Sequence, residues 1–173
     1  MSADKATVLV EGTAMIDRVR AAMADLVEKV VVVGGEYPGY ECWPDEAESA
    51  GPLSGIATVL GRADTDRVLV VAVDHAYVRG ATLAALLGVD LDLPVIPVDQ
   101  EGVRQVTCAV YPTSISQLAS DELAGGGSVQ SLLDRTSFEP VPPEMWVAWG
   151  EDGRSWFSID SPDALAEATR LYL

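Results

Sequence analysis

The sequence predicts an α/β fold in three layers, α/β/α, around a mostly parallel sheet. Three observations carry this. Strand-like and helix-like segments alternate along the chain, and the strand-like runs are apolar without interruption. The 173 residues, 49% of them apolar, also suffice for one domain with a sizeable core. Strands that are apolar on both faces need helices above and below, and the alternation supplies them.

The elements follow in order. "ATVLV" reads as a short strand, and Met15, Val19, Met23 and Leu26 then recur at helical spacing. "KVVVVGG" is a β-branched run closed by two glycines, the pattern of a strand buried on both faces. The loop "EYPGYECWPDEAESAGP" leads into "LSGIATVLGRA", helical in spacing. "DRVLVVAVD" predicts a second buried strand, central in the sheet and ending at Asp74. "GATLAALLG" predicts a short helix capped by Gly88.

"LPVIPV" and "RQVTCAVYP" are two further strands, and "SISQLASDELAGG" and "SVQSLLDR" are helices divided by glycines. "TSFEPVPPEMWVAWGEDG" is the least regular stretch and reads as a covering β-arm or loop. The last helix starts at Ser161 as N-cap, with Pro162 and Asp163 in its first turn, and continues through "ALAEATRLYL". No internal repeat or low-complexity linker divides the chain, so residues 1–173 are expected to form a single domain.

Charge excludes several classes of partner. Eleven Lys and Arg face 27 Asp and Glu, for a net charge of −16. A nucleic-acid binder needs a basic stripe to displace counterions, and none is present. An anionic membrane surface is disfavoured equally, and a phosphorylated substrate calls for a divalent cation. No apolar run reaches membrane-spanning length and the N-terminus lacks signal-peptide order, so a cytoplasmic location is expected. Cys42 and Cys108 stand apart without metal-binding spacing and are expected to be reduced thiols.

In sheets of this kind, ligands bind beyond the carboxyl ends of strands. Asp74 follows "VLVVAV" and is therefore placed to hold Mg²⁺ through an oxygen, or equally to cap the turn into "YVRG". "GPLSG", residues 51–55, is a turn entering a helix, where unpaired N–H groups can meet a ligand. "VVVGG" lacks the continuation of a phosphate loop. His75, the single histidine, has no Ser/Cys–His–acid companions and is expected to have no catalytic role.

The ordered series "SADKATVLVEG", "KVVVVGG", "AGPLSGIATVL", "RVLVVAVDHAYV", "CAVYP", "SVQSLLDR" and "WFSIDSPDAL" resembles the MobA-like nucleotidyltransferases, the molybdenum cofactor guanylyltransferases and their relatives. The resemblance runs along nearly the whole chain and implies a Rossmann-like nucleotidyltransferase fold. By it, Lys5 corresponds to the lysine that contacts nucleotide phosphates, and Asp74 to the aspartate that binds Mg²⁺, the two making up the catalytic pair. Gly34, Asp45, Gly51, Pro52, Leu53 and Gly55 fall on nucleotide-contacting positions. Asp160 falls where the second Asn of the family's NxNTP pattern stands, near the metal.

The implied reaction is transfer of GMP from GTP to molybdopterin with Mg²⁺ and release of pyrophosphate. The resemblance also admits a transferase using another nucleotide such as CTP, or a degenerate member with a binding or regulatory role. Three departures weigh on this expectation. The family's opening LAGGxSxRMGxDK is matched only from Met1-Ser2-Ala3-Asp4-Lys5, so its first strand and glycine loop are expected to be missing, or the start to be an internal methionine. DMPF is replaced by Asp74-His75-Ala76-Tyr77, and NxNTPED by Ser158-Ile159-Asp160-Ser161-Pro162-Asp163. The oligomeric state is not legible in the sequence.

Overall fold

The computed structural model describes residues 4–45 and 51–172. Met1, Ser2 and Ala3 of the opening signature, and residues 46–50 of the loop before "GPLSG", lie outside the described residues.

The described residues open with a one-turn 3₁₀ helix, Lys5–Thr7, where a strand is expected. The cause is local. The Asp4 side chain accepts the Ala6 N–H at 3.1 Å and nucleates the turn. Only Leu9–Val10 (β1) remains extended, pairing with Thr13–Ala14 (β2) in a tight hairpin. Helix α1, Met15–Met23, follows at the expected spacing. Val31–Val33 (β3) pairs in parallel with Glu41–Trp43 (β4).

Helix α2, Pro52–Arg62, leads to Arg67–Val71 (β5), and α3, Gly80–Leu87, to Val95–Pro97 (β6). Cys108–Pro112 (β7) precedes two helices, Ser116–Ala124 (α4) and Val129–Asp134 (α5). A Ser128–Ser131 capping box starts α5. The "EPVPP" stretch is no loose arm. Glu139–Val141 (β8) pairs in parallel with β6 at the sheet edge, where Pro140 costs little, and Pro143–Ala148 (α6) follows. Helix α7, Pro162–Tyr172, ends the described chain, with Ser161 Oγ accepting the Ala164 N–H at 3.1 Å as its cap.

The main sheet has the order β5-β7-β6-β8. Strands β5, β6 and β8 share one direction, and β7 runs against them. The alternation along each strand sorts side chains into two cores. Leu69, Val95, Cys108, Val110 and Val141 face α1, α3 and Trp146 of α6. Ile96, Ala109 and Tyr111 face α2, α4 and α5. This is the expected α/β/α layering.

Two expectations change. β5 stands at the end of its sheet rather than in the middle, and β3 and β5 are only partly buried although their residues are almost all valine and leucine. Among the described residues no strand pairs with the outer edge of either, so each presents unpaired backbone groups. Helix α2 packs on both strands, and a Cβ added at Gly55 would already meet Val33 Cγ1 at 4.0 Å.

Candidate functional site

A third apolar cluster, Val10, Met15, Ala76, Tyr77, Ile159 and Ala168, joins β1 and α1 to the turn after β5 and to α7. It is the floor on which the candidate site rests. Asp74 lies in the turn beyond β5, its backbone carbonyl accepting the Ile159 N–H at 2.9 Å. Among the described residues its carboxylate caps no turn. Oδ2 accepts the Ser158 hydroxyl at 2.9 Å and faces Lys5 Nζ at 3.9 Å.

Lys5 is still 42% exposed, and an ion pair that long and that exposed contributes little to stability. Its ammonium therefore remains available to a phosphate. Ser158 and Asp160 flank the buried Ile159 in an extended stretch, and both are exposed. Two carboxylates thus belong to segments tied to each other by main-chain hydrogen bonding.

A second group gathers at the carboxyl end of β3. Gly34 has φ +81°, a left-handed conformation that a side chain would strain. Asp45 lies beside it, so a Cβ at Gly34 would stand 3.9 Å from the Asp45 carboxylate. That carboxylate accepts a short hydrogen bond from Ser54 Oγ in the first turn of α2, the favourable end of the helix dipole for an anion. Gly51 (φ +67°) is the N-cap of α2. Pro52 has no N–H to offer, and the Leu53 side chain is fully buried in the core, which leaves its backbone to a ligand. Gly55 faces β3, where a Cβ would make ordinary van der Waals contact with Val33.

The two groups meet through the loop after β3. Tyr37 donates its hydroxyl to Asp4 Oδ1 at 3.0 Å, next to Lys5, and burial together with that bond raises its pKa. A Cβ at Gly35 would come within 2.8 Å of the Tyr37 ring, and φ there is +74°. Gly35→Ala should therefore cost about 1–2 kcal/mol and detach Tyr37 from Asp4. Urea unfolding measures the first effect. An unchanged midpoint would refute this loop conformation.

His75 is buried, with Nε2 3.0 Å from Thr107 Oγ1. Burial pushes its pKa down, against the opposing pull of Asp74, so it stays neutral inside the fold. Its side chain faces inward. Both cysteines are free thiols, and burial raises the Cys108 pKa to about 12, which keeps it protonated and inert.

Among the described residues no three His, Cys, Asp or Glu side chains converge into a cage. Mg²⁺ ordinarily takes one or two carboxylates and completes its shell with water and substrate phosphates. Asp74 offers one such carboxylate, and Asp160 follows directly on Ile159, whose N–H bonds to the Asp74 carbonyl. Sequence reasoning missed Ser158, Tyr37 and Ser54. Only Ser158 left a signal there, since alternation about Ile159 sets it on the same side as Asp160.

No described helix is long and apolar enough to cross a membrane. The family model "MobA-like NTP transferase domain" matches residues 1–141. A probable molybdenum cofactor guanylyltransferase of Chloroflexus aggregans is 27% identical over 169 residues, 90% of this chain and 79% of the relative. A probable molybdenum cofactor guanylyltransferase of Clostridium perfringens is 31% identical over 125 residues, 69% of this chain, and the match spans 63% of that relative's length. In fold the chain is similar to the molybdopterin-guanine dinucleotide biosynthesis protein A of Archaeoglobus fulgidus. The TM-score is 0.82 at 20% identity, over 98% of this chain and 91% of that one.

Proposed function

This chain belongs to the MobA-like NTP transferase family, and from that premise we propose that it transfers GMP from GTP to molybdopterin. The observation that carries the reading is the meeting of Lys5, Asp74 and Ser158 beyond the end of β5, in a protein otherwise so acidic. A terminal phosphate on the acceptor is already ionised near neutral pH, so no strong general base is required. One of its oxygens attacks the α-phosphorus of GTP in line. The new P–O bond forms as the bond from that phosphorus to the α–β bridging oxygen breaks, and pyrophosphate leaves with its electrons.

The chain's residues act by position and charge. Lys5 turns from Asp74 to the triphosphate and offsets its charge. Gly34, Asp45 and the first turn of α2 receive the nucleoside. Asp74 and Asp160 would hold Mg²⁺, with Ser158 orienting the Asp74 carboxylate. Bound there, the ion supplies Lewis-acid neutralisation of the phosphate oxygens. In this reading the chain works as one unit, since Tyr37 of the loop after β3 bonds to Asp4 beside Lys5.

Calorimetric titration with GTP, CTP and ATP, with and without Mg²⁺, tests the proposal. Of the three, GTP should bind most tightly, and far more tightly with Mg²⁺ than without it. Lys5→Ala should weaken that binding roughly tenfold through loss of one charge-assisted contact. Tighter binding of CTP would move the substrate to another nucleotide. A folded protein that binds none of the three would refute the reading.

A further inference from the structure

Glu151 is a buried carboxylate that the proposed reaction does not use, only 3% exposed. Its Oε1 accepts the backbone N–H groups of Asp152 at 3.0 Å, Gly153 at 2.8 Å and Ser155 at 3.3 Å. Its Oε2 accepts the hydroxyls of Ser155 and of Thr82 in the first turn of α3. Burying a carboxylate is costly even when it is fully hydrogen-bonded, and an apolar side chain could fill the same space. What an apolar side chain could not do is hold five donors from two distant segments in fixed register.

Those segments are the two that carry the site. Going out from Asp74, residues 74–82 run beside residues 150–160 in the opposite sense. Ile159 bonds to Asp74, Ser155 Oγ accepts the Arg79 N–H at 3.1 Å, and Glu151 holds Thr82. Arg79 Nη1 adds a bond to the Gly150 carbonyl at 2.5 Å. The pairing is anchored deeply at the Glu151 end and lies open at the Asp74–Ser158 end.

We propose that Glu151 is a positioning residue, which through Thr82 and Ser155 fixes how the 158–160 segment stands against Asp74 and so sets the affinity for the metal–nucleotide. The proposal rests on the nucleotidyltransferase reading. It acts at a distance from the chemistry, so its signature is a selective loss of metal-dependent binding.

The test compares affinities for MgGTP and for GTP in EDTA, by calorimetry, in Glu151→Gln, Thr82→Val, Thr82→Ser and Asp74→Asn. Glu151→Gln and Thr82→Val should each weaken MgGTP binding about tenfold, the low end of the losses typical of outer-shell partners of metal ligands. Their affinity for metal-free GTP should shift less than twofold. Thr82→Ser keeps the hydroxyl and should match the wild type. If Glu151→Gln fails to fold, the two Thr82 variants decide.

Equal losses with and without metal, or unchanged MgGTP affinity where Asp74→Asn abolishes it, would overturn the positioning role alone. An unchanged MgGTP affinity in Asp74→Asn would overturn the reading beneath it, and this proposal too.

Discussion

Asp74→Ala is expected to lower nucleotidyl transfer by a hundredfold or more and to abolish the Mg²⁺ dependence of GTP binding. The size follows from charge. Neutralising phosphate oxygens in the transition state contributes several kcal/mol, and about 3 kcal/mol already corresponds to a factor of about one hundred. Asp74 is also the residue on which Lys5 and Ser158 converge, so the substitution releases both. The fold should tolerate it. Asp74 is partly exposed, its ion pair is long, and its contact with Ile159 is made by the backbone. Pyrophosphate release together with an urea unfolding curve separates the two effects. Retained transfer in a folded Asp74→Ala protein would remove the proposed metal site.

Trp146→Ala should be the most destabilising single change considered, at about 3–5 kcal/mol. Trp146 is 1% exposed, packs edge-on against Trp156 with ring centres 5.2 Å apart, and donates Nε1–H to the Val98 carbonyl at 2.9 Å. Truncation opens a cavity and leaves a partly buried carbonyl without this donor. For a chain of this size, about 1 kcal/mol moves the melting temperature by about 2–4 °C, so a fall near 10 °C is expected. Trp146→Phe keeps most of the ring but not the donor, and should lose only about 1 kcal/mol. Equal losses in the two variants would assign the effect to the hydrogen bond instead of the cavity.

The layered fold was legible because it depends on periodicity. The runs at β5, β6 and β7 alternate between two helix layers, and α1, α2 and α3 sit where apolar spacing requires them. Places where a single side chain overrides the run were not legible. Asp4 bends "KAT" into a 3₁₀ turn, and parallel pairing with β6 recruits a proline-rich stretch into the sheet. Lys5 and Asp74 could be named from the ordered motifs, and the structure brings them together. Asp45 and Gly34 also adjoin. The Tyr37–Asp4 link and the Glu151 anchor join residues 33 and 69 positions apart, separations no local pattern encodes.

The reversed strand β7 has a consequence for how the chain acquires its shape. β5 pairs with β7 in the register Leu69↔Val110, across some forty residues. A chain growing from its N-terminus thus exposes a valine-rich strand until α3, β6 and the loop behind them have all emerged. Such distant pairings form late, after the entropy of closing the loop has been overcome. Residues 1–112 already carry 17 Asp and Glu against 8 Lys and Arg, and this excess acts during that interval as mutual repulsion between neighbouring unfinished chains. The acidity of the chain thereby protects it before it is finished.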